Sequence, residues 1–309
     1  MTETAREELR RVAPGRPTAL TVGVFDGVHL GHRHLLRHLT QRAHELGLAA
    51  GALTLHPDPA YVLHPNAQPR YLVSVERRLQ LLREAGPDFV GCITFTPAVA
   101  ELSAEEFAAI LKEELSLSYL LMGPDHSFGR DRAGSPAYMA KVGESLGFEV
   151  EVLAERLWGS EEAVSSTAIR TALAQGNVEL ASKYLGRPFS LCGPVVKGDQ
   201  RGWLLGFPTA NIDVPVDQAL PAFGIYATWA YLGEERHASA TNIGVRPMFR
   251  SDRPMVETYI FDFDKDIYGQ TLRIELIKRL RPEMSFPDVE ALKKQMHLDV
   301  IAAREALSR

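Results

Sequence analysis

Three groups of residues in this 309-residue chain have the types and spacing for phosphate chemistry. In the run GVFDGVHLGHRHLL, Gly23, Gly27 and Gly31 let the backbone turn tightly and approach a ligand, with Phe25 and Asp26 between them. The helical pattern that follows starts near His29. Its unpaired N–H groups and positive dipole end therefore face the loop, where a phosphate is stabilised. His29 and His32 are three apart and share a helix face, so both imidazoles can donate to one polyphosphate. In VSSTAIRTAL, the hydroxyls of Ser165, Ser166 and Thr167 open a helical run with Arg170 one turn in. That pattern serves equally as a phosphate clamp or as plain helix capping. The third group lies in the C-terminal half. Thr209 and Asn211 of PTAN point the same way on a strand and are hard oxygen donors suited to Mg²⁺. In MVETYIFDF, Glu257 shares a strand face with Met255, Tyr259, Phe261 and Phe263, and a carboxylate among aromatics is costly unless it is paired or used. The chain has no G-x-x-x-x-G-K-[ST], so phosphoryl transfer here needs a device other than a P-loop.

Positioning these groups takes two kinds of architecture. From about 17 to 185, short apolar runs (18–24, 48–55, 88–95, 118–123 and 148–153) alternate with helical patterns. One of these, SAEEFAAILKEEL, carries the capping-box pair Ser103 and Glu106. Alternation of this kind predicts a mostly parallel sheet covered on both faces, with ligands at the carboxyl ends of its strands. After Gly186 the pattern changes. LCGPVV, GIYATWAYL, MVETYIFDF and TLRIELIKRL follow one another between turn signals, which predicts an antiparallel sheet or small barrel. PDVEALKKQMHLDVIAAREAL then predicts a closing helix packed on that barrel. The expected domains are 1–185 and 186–309.

The string GxFDGxHxGH resembles the nucleotidylyltransferase superfamily and, in its FDG form, the FMN adenylyltransferase domain of bacterial FAD synthetases. GPDHSFGRDRAG is similar to that family's G-x-D-F-x-F-G-x-x-R-x-G stretch, and VSSTAIR to its S-S-T-x-I-R motif. GPVVKGDQRGWLLGFPTANI resembles the riboflavin kinase signature, as do VETYIFDFDKDIYG and TNIGVRPMF. Together these stretches run over nearly the whole chain. Four positions depart from the pattern: His56 and Asp58 are exchanged relative to the usual T-F-D-P-H-P, His126 replaces an aromatic residue, and Met248 stands where Thr is usual. Trp203 in the glycine-rich loop is also nonstandard.

The resemblance implies an α/β nucleotidylyltransferase domain, Rossmann-like with a parallel sheet, followed by a β-barrel riboflavin kinase domain with a C-terminal helix. It implies phosphorylation of riboflavin to FMN, then adenylylation of FMN to FAD with release of pyrophosphate. ATP is the co-substrate of both steps and Mg²⁺ the cofactor; riboflavin, FMN and FAD are substrates and products. Glu257 would take the proton of the ribityl 5′-hydroxyl, Gly198, Arg201 and Gly202 would lie against phosphate, and Thr209 and Asn211 would hold Mg²⁺. His29 and His32 would steady the leaving phosphates, with Arg170 as a further cation. Asp125, Phe128, Gly129 and Arg132 would face the flavin. Two narrower readings stay open: a riboflavin kinase with a silent N-terminal half, motivated by His56 and Asp58, and a flavin- or nucleotide-binding regulator without turnover. A binding module needs neither a leaving-group clamp nor a base, which weighs against the second.

Composition is ordinary for a globular protein, with 45% hydrophobic and 24% charged residues. No apolar stretch approaches the roughly 18 residues that would cross a bilayer, and the N-terminus is charged from the start, so the expectation is a cytoplasmic protein without membrane contact. A net charge of −5 weighs against a dedicated nucleic-acid binder, which leaves small-molecule substrates as the expected partners and a homo-oligomer open. Cys92 and Cys192, far apart in apolar runs, are expected as buried free thiols. His34 and His38 read as a solvated helix face, RRLQLLREAG as an ordinary amphipathic helix, and DFDKDIYG as a turn.

Overall fold

The computed structural model describes residues 3–64, 66, 68, 70–153, 164–198, 202, 205–245 and 254–308. The chain forms two compact units, Met1–Pro69 with Ser74–Val164, and Arg70–Val73 with Ser165–Arg309. The first is built on β1 (Thr18–Gly23), β2 (Ala49–His56), β3 (Phe89–Thr94), β4 (Leu117–Met122) and β5 (Glu149–Val152). All pair in parallel, in the order β3-β2-β1-β4-β5. Each expected apolar run of this half became a strand. One face packs Ala19, Ala50, Tyr119 and Leu121 against Leu39 and Ala43 of α2 (Leu30–Glu45). The other packs Leu20, Val22, Leu53 and Leu120 against Phe107, Ala108 and Leu111 of α6 (Ala104–Leu115). The α6 start is the expected reciprocal cap: Ser103 Oγ accepts from the Glu106 N–H, and the Glu106 carboxylate accepts from the Ser103 N–H. Strand order reverses between β1 and β4, and a reversal of this kind opens a crevice at the carboxyl ends of the two strands. The FDG loop leaves β1 at that point and GPDHSFG leaves β4.

The second unit holds a closed barrel of β6 (Phe189–Val196), β7 (Thr209–Ile212), β8 (Gly224–Leu232), β9 (Glu235–Gly244), β10 (Met255–Ile260) and β11 (Thr271–Arg281), ordered β10-β7-β6-β11-β8-β9. Its pairings are antiparallel. The last helix, α10 (Val289–Leu307), starts on an Asp288 cap and packs on β8, β9 and β11. Strand β9, with the sequence ERHASATNIG, escaped the sequence reading because its inward residues are hydroxyls. Inside the barrel Thr228 bonds Ser239 at 2.7 Å and Thr241 at 2.8 Å, and Thr241 bonds Thr258 at 3.0 Å, all fully buried. The contact boundary falls after Val164, ahead of the expected one near 185. Helices α8 (Ser166–Ala174) and α9 (Val178–Leu185) carry the helical pattern of the first half but turn Val178, Ala181 and Leu185 into the second unit, where α9 meets β6 and β11.

Both cysteines are free, but neither is buried as expected. Cys92 is half-buried and Cys192 exposed, because alternate residues of β6 face outward. Among the described residues no helix is long and apolar enough to cross a membrane.

Candidate active sites in the two units

After β1 the backbone enters the left-handed region at Phe25 (φ 50°), Gly27 (φ 81°) and Val28 (φ 40°). Such a conformation is strained for Phe and for a β-branched Val, and strain of this kind collects where a site is pre-shaped. The Phe25 ring folds back over Gly23, whose Cβ would lie 3.1 Å from it. Gly31 has a similar reason: a Cβ there would meet the His29 ring at 3.2 Å. His29 is the N-cap of α2 rather than its first turn. Its Nδ1 accepts from the His32 N–H at 3.3 Å, which puts the ring proton on Nε2 and makes that atom the donor. The two imidazoles stack 3.6 Å apart at 18°, with the Phe25 ring edge-on to His32. Burial, with the His29 and Arg78 charges behind it, pushes His32 well below its ordinary value. His32 is therefore held neutral, and the two stacked rings do not form a dication.

Under this loop lies a group the sequence reading passed over. Arg78 of α4 (Val75–Glu84), in the stretch read as an ordinary amphipathic helix, is 0% exposed. Its Nη2 stands 3.8 Å from Asp26 Oδ1, also buried, and its Nη1 donates to Leu55 O at 3.3 Å. This gives Asp26 a role: it is half of a buried ion pair tying the FDG loop to α4 and the end of β2. The available signal was an arginine on the apolar stripe three and four residues before Leu81 and Leu82.

The loop after β4 sorts its expected flavin residues into two kinds. Phe128 is turned into the core, 9% exposed, with its ring edge against Phe107. Gly129 (φ 77°) seats the loop on α6, where a Cβ would come within 2.6 Å of Ala104 N. Asp125 and Arg132 are exposed, and Arg132 Nε donates to Ser127 Oγ at 2.8 Å. His126 lies edge-on to Phe128, and burial lowers it to about 4. Asp58, one of the exchanged pair, caps α3 (Pro59–Leu63) by accepting from the Ala60 N–H. His38, read as solvated, is hydrogen-bonded to Glu151 at 2.6 Å.

In the second unit Ser165 caps α8 by accepting from the Ala168 N–H at 3.1 Å, with Ser166 and Thr167 in the first turn. Arg170 Nε donates to Arg70 O at 2.7 Å. In the barrel, β10 lies between β7 and β9, with Glu257 directly opposite Asn211 on one side and Asn242 on the other, and Tyr259 opposite Thr209. Directly opposite residues share a face, so Thr209, Asn211, Asn242, Glu257 and Tyr259 project together. Glu257, Asn242, Thr209 and Tyr259 line a cavity of about 480 Å³, closed by Phe207, Arg281, Phe286 and Met296. Met255 and Tyr259 share the Glu257 face as expected. The strand ends at Ile260, Asp262 turns left-handed (φ 55°), and Phe263 faces a second cavity instead.

That second cavity, about 570 Å³, is lined by Phe263, Asp264, Lys265, Asp266 and Tyr268, so DFDKDIYG is a wall as well as a turn. Thr209 lines both cavities. Gly198 and Gly202 are shaped to their neighbours: a Cβ would lie 2.3 Å from Asn211 Nδ2 at the first, and 2.4 Å from Phe207 O and 3.2 Å from Thr209 Oγ1 at the second. Arg201, Trp203 and Met248 lie outside the described residues. The sequence reading missed Asn242 and a bidentate pair, Arg281 with Asp299 at 2.9 and 2.7 Å, also bonded by Gln295, which fastens the cavity rim to α10. Asp299 could have been noticed as an acid among Leu292, Met296, Val300 and Ala303 on one helix stripe.

Comparison with known proteins assigns the same two parts. An FAD synthetase family model matches residues 13–168, and a riboflavin kinase model matches 185–307. A bifunctional riboflavin kinase/FMN adenylyltransferase from Escherichia coli K12 is 36% identical over 295 residues, 95% of this chain and 94% of the relative. One from Listeria monocytogenes is 35% identical over 91% of this chain and 89% of its own. A crystal structure described as a macrolide-efflux protein from Streptococcus pneumoniae is 27% identical and superposes with a TM-score of 0.87 over 96% of each chain. With both family models and these relatives spanning nearly its full length, the chain belongs to the family of bifunctional riboflavin kinase/FMN adenylyltransferases.

Proposed function

We propose that the chain converts riboflavin to FAD in two ATP-dependent steps, with FMN formed in the half beginning near 186 and adenylylated by the half ending near 185. The observation that carries the kinase step is Thr209, shared by two cavities of different character. The cavity with Glu257 and its aromatic and methionine walls suits a flavin. The cavity with Lys265, Tyr268 and the apolar Val195, Pro208 and Ile267 suits a nucleotide. A phosphoryl group then passes at their border. Glu257 takes the proton of the ribityl 5′-hydroxyl as that oxygen attacks the γ-phosphorus, and ADP leaves. Thr209 and Asn211 fit a magnesium ion: both are neutral oxygen donors on one face of β7, beside a cradle at Gly198 and Gly202 that a Cβ would fill. Such an ion would offset phosphate charge.

For adenylylation, the FMN phosphate attacks the ATP α-phosphorus and pyrophosphate leaves. No covalent nucleophile is needed, so the chain's task is positioning and stabilising charge. His29 Nε2–H and the neutral His32 donate to the leaving phosphates, the N-terminus of α2 adds its dipole, and the Arg78–Asp26 pair holds the loop in shape. On the sequence resemblance alone, Arg170 supplies a cation, Ser166 and Thr167 supply hydroxyls, and Asp125 and Arg132 meet the flavin. The exchange at His56 and Asp58 does not argue for a silent half, because Asp58 serves as a helix cap.

The deciding experiment is a chromatographic product assay with riboflavin, ATP and Mg²⁺, run beside one supplied with FMN. FAD in both, with FMN passing through the first, is the expected result. FMN accumulating without FAD would reduce the protein to a kinase, and no flavin product in either would end the reading.

A further inference from the structure

Asn242 stands on β9 directly opposite Glu257 on β10, and both line the 480 Å³ cavity. Its Oδ1 is buried and has no hydrogen-bond partner among the described residues. A buried acceptor left without a donor is destabilising until something supplies one. The buried hydroxyls on the other face of these strands are hydrogen-bonded to one another. Thr241, the next residue back and on the opposite face of β9, is bonded to both Thr228 and Thr258. The unmet acceptor is therefore a property of the cavity face.

An acceptor needs a donor, which excludes the triphosphate, whose oxygens only accept at neutral pH. The phosphate side of Glu257 is in any case the β7 side, where Asn211 and Thr209 project beside Gly198 and Gly202. Asn242 flanks Glu257 from the other strand. On that flank a ribityl chain offers a row of hydroxyl donors. Glu257 engages the terminal one, and the next donor is its vicinal neighbour, one carbon along. Opposite residues of an antiparallel pair have Cβ atoms about 4.5–5.5 Å apart, so the carboxylate and the amide can reach hydroxyls on adjacent carbons.

We propose that Asn242 Oδ1 accepts a hydrogen bond from the 4′-hydroxyl of riboflavin, the one next to the hydroxyl that is phosphorylated. Asn242 is then a specificity residue of the kinase half; the inference rests on the kinase reading above. The contact fixes the chain end so that the 5′-oxygen presents its proton to Glu257. It also rejects substrates lacking the 4′-hydroxyl, because binding one leaves the amide oxygen unpaired.

FMN formation would be measured with riboflavin and with 4′-deoxyriboflavin, which keeps the 5′-hydroxyl, for wild type and Asn242→Leu. Wild type is expected to lose about tenfold or more in kcat/KM on the deoxy analogue. Asn242→Leu should lose a similar factor on riboflavin and treat the two substrates alike, while making FAD from supplied FMN at the wild-type rate. Wild type that phosphorylates both substrates equally well overturns the proposal, even if the variant fails to fold. A folded Asn242→Leu that still discriminates as strongly as wild type overturns it too. Wild type that makes no FMN from riboflavin refutes the kinase reading itself, a separate and recognisable result.

Discussion

Replacing Arg78 with methionine removes one charge from a fully buried pair while keeping most of the side-chain volume. Arg78 Nη2 and Asp26 Oδ1 are 3.8 Å apart, and both residues are shielded from water. At that separation an effective dielectric of about 20 gives roughly 4 kcal/mol of attraction. Removing one member of a buried pair generally costs about 3–5 kcal/mol, since the remaining charge stays desolvated. Arg78→Met should therefore destabilise the first unit by about 3 kcal/mol or more. Because the chain has two units, a single unfolding midpoint would mix them. Hydrogen exchange by mass spectrometry reads them separately. Amides of β1 and β2 should exchange roughly a hundredfold faster, with β8 and β11 unchanged. Asp26→Asn should act in the same direction, and the double variant should be less damaged than the sum of the singles by about 2 kcal/mol or more. FAD formation should drop as the FDG loop loosens, with FMN formation preserved. Exchange within threefold of wild type, or strictly additive effects, would refute the ion pair as the brace of this loop.

Glu257→Gln should lower FMN formation by about 10²–10⁴-fold, the usual worth of a general base, and leave FAD formation from FMN intact in the chromatographic assay. His32→Ala should do the reverse; loss of FMN production in that variant would contradict the assignment of the two sites. Gly198→Ala puts a Cβ 2.3 Å from Asn211 Nδ2 and should cut FMN formation about a hundredfold by displacing that amide, with unchanged FAD formation as the control. The first unit should weaken on acidification. His126 sits near 4 and His32 well below its ordinary value of about 6.5, so between those limits the unfolded chain binds protons that the folded one refuses. Stability is then fully present above about pH 6.5 and is lost as pH falls toward 4. Thermal melts at a series of pH values should show a shallower acid slope for His126→Phe, and an unchanged slope would show that His126 is not responsible.

What the sequence disclosed and what it hid follow from one distinction. Strands β1 to β5 were legible because burial on both faces demands continuous apolar runs. The α6 cap was legible because Ser103 and Glu106 satisfy each other over a fixed spacing. The FDG and PTAN strings were legible because glycine positions and paired polar residues serve local backbone needs. The hidden features all involve a polar group buried by partners distant in sequence. β9 lost its strand signature because Ser239 and Thr241 are bonded to Thr228 and Thr258, and only the closed barrel makes a hydroxyl a core residue. Arg78 looked solvent-facing because its partner Asp26 lies 52 positions earlier. Arg281 and Asp299 likewise meet only once α10 lies on the barrel.

The same distinction bears on which polar residues do chemistry and which hold them in place. Asp299 and the barrel hydroxyls are hydrogen-bonded within the protein, and Arg78 is held against Asp26, so their roles end at positioning. Asn242, opposite Glu257, projects into a cavity with room for a substrate, and there its acceptor lacks a donor among the described residues. A fold that pairs the hydroxyls on the other face of the same strand could have paired this oxygen too, had an inert core been all that was needed. The barrel has kept an acceptor open beside Glu257, where an incoming alcohol can complete it.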